Sequence, residues 1–180
     1  KGVGALYVRR RPDRVRLQQQ QHGGGHERGI RSGTLSVSSI VGLGAAAKFA
    51  VEEMTMHAAS VRKLRDQLLS KLHYAIEDIF PNGTMEERLP NNLNVRIAGA
   101  DAQSLLVAVG SVLSISSGSA CSSTSVEPSH VLKALHNDDD TVAFESIRIG
   151  LGRTTTEAEV AKAADIISGA VDKIRSFHLV

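Results

Sequence analysis

The chain has 180 residues, 42% of them hydrophobic but only 3% aromatic and none tryptophan, so a domain-sized core has to be packed from Leu, Val, Ile and Ala. With 21 basic and 19 acidic residues the formal charge is +2, which argues against a dedicated surface for nucleic acid or for an anionic membrane. A single cysteine excludes an intrachain disulfide and fits a reducing compartment, and neither a signal peptide nor an apolar run near the roughly 18 residues of a membrane span is present.

The chain opens at Lys1-Gly2-Val3-Gly4, and residues 2–9 form a short apolar run predicted to be a buried strand, so the sequence reads as a fragment that starts inside an element. Arg9 to Arg16 holds five arginines in eight residues. It suits an acidic protein or nucleic-acid partner, or, the first choice, a solvated strand end. His22 to Thr34 follows, with five glycines in thirteen residues and Arg28, Arg31, Ser32 and Thr34 among them. Such a loop can turn backbone N–H groups toward one point and add guanidinium and hydroxyl donors, which favours a phosphate or carboxylate site over a plain connection. His22 and His26 are four apart but share no helix face, so they do not make a metal pair.

From Ser36 to Ile79 the periodicity predicts two helices, one through Ile40, Leu43, Ala47 and Val51, the other through Val61, Leu64, Leu68 and Leu72. Phe80 to Thr84 is turn chemistry, and residues 93–97 alternate as a half-buried strand. Asp101 is placed to cap a helix over 102–109. Val112 to Ile115 is predicted to be a strand, Pro128 to open a helix through Val131, Leu132 and Leu135, and Asn137 to Asp140 to be a polar turn. Residues 146–152 read as a strand in which Arg148, between apolar neighbours, either points to solvent or meets a carboxylate. Thr154 and Glu157 form the predicted capping box of a last helix with its stripe on Val160, Ala163, Ile167, Val171 and Ile174. The order of elements gives an α/β or α+β fold, a small sheet covered by helices.

The only cysteine, Cys121, lies in the run Ser116 to Ser123 of small hydroxyl and glycine residues. A structural thiol is usually enclosed by aliphatic side chains. This setting instead suits a sulfur nucleophile that a partner must reach, or a loop cysteine of no consequence; chemistry alone leaves both open.

Four stretches, KGVGALYVRRRP from Lys1, GGGHERGIRSGT from Gly23, SSGSACSS from Ser116 with EPSHVLKAL from Glu127, and SIRIGLGRTTTEAEV from Ser146, stand in order across nearly the whole chain. In these the chain resembles the C-terminal part of the cysteine desulfurases of the NifS/IscS-like class, pyridoxal-phosphate (PLP) enzymes with the aspartate-aminotransferase fold. The resemblance implies that Cys121 takes sulfur from the PLP-bound substrate L-cysteine and carries it as a persulfide for iron–sulfur cluster assembly or other thiolation. It implies that Arg148 grips the substrate carboxylate and that Thr34 contacts the PLP phosphate of the opposite subunit of a homodimer. The long form of the cysteine loop implies delivery to an acceptor such as an iron–sulfur scaffold protein.

On the same resemblance, residues 1–35 end the PLP-binding large domain, 36–57 are a connecting helix, and 58–180 form the small domain with the cysteine loop at 116–125. The Schiff-base lysine lies before the first strand and is not Lys1, so the fragment alone is expected to be inactive. The expected compartment is the cytoplasm or the mitochondrial matrix. The alternative is a non-catalytic remnant that accepts sulfur at Cys121 or serves dimerisation.

Overall fold

The computed structural model describes residues 2–9, 11–12, 15–117 and 128–177. It divides into two compact units, Lys1–Thr55 and Met56–Val180.

In the first unit residues 2–9 form no strand, and Leu6 and Tyr7 are exposed. An extended segment becomes a strand only when its backbone groups find a ladder. The only pairing described in this unit is an isolated bridge between Gln21 and Arg31. The glycine-arginine loop is closed on itself around buried Ser32, whose Oγ accepts from Gly25 N at 3.3 Å and from Gln19 Nε2 at 3.1 Å. A single 3-10 turn, Glu27–Gly29, lies within it.

The two helices predicted over 36–79 are one helix, α1, Val37–Ala75. Glu52 to His57, where the two stripes were expected to part, contains neither Pro nor Gly, so nothing interrupts the i to i−4 ladder there; of the two stripes only the second is buried, while Ile40, Leu43 and Val51 are exposed.

The second unit is built on a four-stranded sheet of β1 (Ile79–Pro81), β2 (Asn92–Ile97), β3 (Ser116–Ser117) and β4 (Ser146–Gly150). The strand order is β1-β2-β4-β3 and every pair is antiparallel. Between and after the strands come helices α2 (Ala102–Val109), α3 (His130–Leu135), α4 (Asp140–Phe144) and α5 (Glu157–Phe177). Alternation along β2 and β4 sends Leu93, Val95, Ile97, Ile147 and Ile149 to one face. There they join Leu64, Leu68 and Leu72 of α1, Leu105 and Val109 of α2, and the predicted α5 stripe, all five of whose residues are buried, in one core. Burying each such aliphatic side chain contributes about 1.5–3 kcal/mol, which offsets the low aromatic content.

Local chemistry sets the helix starts. Asp101 caps α2 as predicted, its carboxylate accepting from Ser104 N at 2.7 Å. The capping box of α5 lies two residues later than predicted. Thr156 Oγ1 accepts from Glu159 N at 3.2 Å and Glu159 Oε2 accepts from Thr156 N at 2.8 Å. Gly152 to Thr155 are held as a turn by Thr155 N–H donating to Gly152 O at 3.2 Å and Gly152 N–H donating to Thr155 Oγ1 at 2.9 Å, so the helix cannot begin at Thr154. Pro128 precedes the cap of α3 rather than entering the first turn, and Ser129 is the capping residue.

Three further elements differ from expectation. The strand predicted over 112–115 falls at 116–117, because Val112 N and Leu113 N both donate to Val109 O at 2.9 Å and keep that segment in the turn that ends α2. Phe80 and Pro81 belong to edge strand β1, where a missing N–H is tolerated. The acidic run supplies the cap and first residue of α4, with Asp139 accepting from Thr141 N at 2.9 Å. Among the described residues no helix is long and apolar enough to cross a membrane.

Candidate active site

The face of β2 and β4 opposite the core carries Asn94, Arg96, Ser146 and Arg148, with Gly150 at its end. Asn94 stands across from Arg148 on one side, and Ser116 of β3 stands across from it on the other. Arg148 is exposed, and its Nε donates to Ser116 Oγ at 3.2 Å. The guanidinium is thus held at one edge by the strand that leads into the cysteine loop.

The two arginines on this face differ in charge balance. Arg96 Nε donates to Glu145 Oε2 at 2.8 Å, and the other oxygen of that carboxylate accepts from Gly99 N at 2.7 Å. Glu145 is therefore spent on Arg96. Among the described residues no carboxylate pairs with Arg148, which leaves an exposed cation with terminal nitrogens directed to whatever approaches. Of the two sequence readings, pointing to solvent is the one observed, and a planar fork of donors in that state is suited to a carboxylate from outside the chain.

Below this open end the face is closed by a polar cluster. Asn82 Nδ2 donates to Asn94 Oδ1 at 2.7 Å and to Ser146 Oγ at 2.9 Å, and Ser146 Oγ donates to Val142 O. Asn82 and Ser146 are buried, Asn94 is half-buried and Arg148 is exposed, so the face runs from a sealed end to an accessible one.

Thr34 belongs to the other unit and is exposed at the end of the glycine-arginine loop. Gly33 beside it has φ +123°, and a Cβ there would stand 2.8 Å from Arg31 Nη1. Only glycine lets that guanidinium lie against the backbone next to Thr34. Gly33 N donates to His26 Nδ1 at 3.3 Å, which helps fix the turn. A guanidinium lying against glycine-rich backbone is chemistry that suits an anion. Cys121 lies outside the described residues. The structure thus brings Arg148 together with Ser116, Thr34 belongs to the other unit, and residues 118–125 of the predicted cysteine loop lie outside the described residues.

Sequence reasoning missed Asn82 and Asn94. Asn94 was visible only as a polar position in an alternating strand, and nothing nearby in sequence marks its register opposite Arg148.

The described residues thus form a small antiparallel sheet packed against helices, with the exposed Arg148 beside the short strand β3. The aminotransferase class-V model covers residues 1–162, and the chain belongs to that family. It is 53% identical over 175 residues to the cysteine desulfurase IscS of Neisseria meningitidis serogroup A, and 50% identical over 175 residues to that of Methylococcus capsulatus. Each alignment covers 97% of this chain and 42% of the relative, so the chain spans about two fifths of the length of these proteins. Among solved structures it resembles a NifS-like protein with a TM-score of 0.72 and 34% identity, over 91% of this chain and 40% of the other. A NifS-like protein from Rickettsia africae matches with a TM-score of 0.70 and 27% identity, over 90% of this chain and 41% of the other.

Proposed function

We propose that this chain works within a PLP-dependent cysteine desulfurase, which takes sulfur from L-cysteine, releases L-alanine and leaves a persulfide on Cys121. The observation that carries the reading is the uncompensated Arg148, tied through Ser116 to the strand from which the cysteine loop departs. Arg148 holds the substrate carboxylate in a fork of N–H donors. Thr34, with Arg31 alongside Gly33, contributes to binding the PLP phosphate, across the interface of a homodimer. PLP, when bound, supplies the electron sink that makes the bond between substrate Cβ and sulfur labile.

Cys121 acts as thiolate on the substrate sulfur. A sulfur–sulfur bond forms, the Cβ–sulfur bond breaks, and the pair left at Cβ is protonated to give alanine. The outer sulfur then passes to an iron–sulfur scaffold or another acceptor protein, in the cytoplasm or the mitochondrial matrix. In this arrangement residues 1–35 close the PLP-binding domain, 36–57 connect it, and 58–180 carry the sulfur-transfer half.

The test uses the intact PLP-loaded enzyme that contains this chain. Incubation with L-cysteine is expected to yield alanine together with a mass increase of one sulfur atom on the peptide containing Cys121, and Cys121→Ser is expected to abolish both. Alanine release that persists undiminished in Cys121→Ser would remove the thiol from the reaction. Arg148→Ala is expected to raise KM for L-cysteine by about 10- to 100-fold, the loss of a charge-assisted hydrogen-bonded pair; an unchanged KM rejects its role.

A further inference from the structure

We infer that Asn94 is a second donor to the carboxylate gripped by Arg148, through an amide group whose orientation is dictated by a chain of hydrogen bonds behind it. The inference rests on the reading of Arg148 as the carboxylate site.

The orientation follows from donor and acceptor counting. Val142 O can only accept, so the single proton of the Ser146 hydroxyl is committed to it. Ser146 Oγ can then meet Asn82 only as an acceptor, which fixes the nitrogen of the Asn82 amide on that side, at 2.9 Å. The same nitrogen lies 2.7 Å from the side chain of Asn94 and must donate there too, so the Asn94 atom facing it is the oxygen. Burial of Asn82 (4% exposed) and Ser146 (0%) removes the water that could let either group turn over. Asn94 Nδ2 is consequently turned away from Asn82, and its two N–H groups have no partner among the described residues.

Those donors sit on the right strand position. Asn94 and Arg148 are direct cross-strand neighbours on the same face, where Cβ atoms are about 4.5–5.5 Å apart. One carboxylate can therefore span the amide and the guanidinium. Room for it exists beside them. Gly150, two residues beyond Arg148 on that face, has nothing within 4 Å of the place a Cβ would occupy. Ser116 on the far side already takes Arg148 Nε at 3.2 Å, which leaves the terminal nitrogens on offer toward the ligand.

The substitution Asn94→Asp separates a binding role from a structural one, since a carboxylate keeps the acceptor that Asn82 needs and removes both donors. In the intact PLP-loaded enzyme, binding of L-alanine and of ethylamine, which lacks the carboxylate, is followed through the cofactor absorbance, together with Tm. Asn94→Asp is expected to weaken L-alanine binding by about tenfold or more, with ethylamine affinity within about twofold and Tm preserved. Asn94→Thr, which keeps a hydroxyl acceptor without adding charge, is expected to shift L-alanine affinity in the same direction.

Unchanged L-alanine affinity in both variants, while Arg148→Ala still weakens it, overturns the inference and leaves the Arg148 reading standing. Equal losses for L-alanine and ethylamine also overturn it, because they report a disturbed fold or cofactor rather than a lost carboxylate contact. If Arg148→Ala itself leaves L-alanine affinity unchanged, the carboxylate reading fails and the inference falls with it.

Discussion

The two faces of the β2–β4 pair are made by the same alternation, one residue out of step, yet they carry opposite burdens. On one, Leu93, Val95, Ile97, Ile147 and Ile149 vanish into the core. On the other, polar groups are graded from fully buried Ser146 to exposed Arg148 within three residues of one strand. The first face is redundant, because many aliphatic contacts share the load and each is non-directional. The second is not. Its bonds run in series, each donor assigned by the acceptor behind it, so a single change propagates along the chain from Ser146 to Asn94.

The sharpest way to test that contrast is a pair of truncations on opposite sides of the same ladder. Leu93→Ala should lower unfolding free energy by about 2–5 kcal/mol in urea titration, while Arg148→Ala leaves Tm in place and acts on substrate affinity. Next comes Ser146→Ala, which leaves buried Asn82 with an unpartnered N–H at a cost of about 1–3 kcal/mol. It also releases the Asn94 amide, so unlike Leu93→Ala it should weaken L-alanine binding. Equal effects of the two on binding would show that the polar face is no more specific than the apolar one.

Smaller effects belong to the helix ends, away from both faces. Thr156→Ala should cost about 1 kcal/mol through the lost cap of α5, and Thr154→Ala should be neutral in the same melt; the reverse order would restore the box to its sequence-predicted position. The smallest is a pH effect. Hydrogen bonds from the Thr156 backbone and hydroxyl hold the Glu159 carboxyl below its ordinary value, and Lys63 with Gln67 does the same for Glu157. Because the folded pKa lies below the unfolded one, these groups support the fold at pH above the unfolded value of about 4.3. That support is lost as pH falls through the lowered folded value. Glu159→Gln should flatten the acid limb of a Tm against pH curve slightly.

Elements whose evidence is local were legible in the sequence. The α5 stripe, the β2 alternation and the Asp101 cap each depend on residues a few positions apart, and each is observed. The failures have several causes, and only one of them is long-range. β3 is displaced because its position is chosen by pairing with β4 about thirty residues away and by the turn that closes α2. The break expected within α1 came from reading a change in the apolar stripe as a change in backbone, though only a breaker or a competing hydrogen bond ends a helix. At the site, the arginine fork could be singled out from its apolar neighbours. Whether it is neutralised depended on Glu145, three residues before it in sequence but committed across the sheet to Arg96. For Thr34 the sequence offered an anion site or a plain connection, and the structure shows a loop closed around Ser32 with Thr34 exposed at its end. The position of Asn94 opposite Arg148 was not legible, since it depends wholly on register.

The short β3–β4 pairing has a kinetic consequence. Ser117 is fixed opposite Ile147, and Cys121 follows four residues later, so covalent geometry alone keeps its Cα within about 14 Å of that point. One thiol in a sphere of that radius has a local concentration on the order of 0.1 M. If Cys121 is the nucleophile proposed above, a thiol supplied at that level need not be strongly activated to outcompete millimolar thiols from solution. On that reading two residues of strand set the supply of the thiol, and lengthening the segment between Ser117 and Cys121 would dilute it.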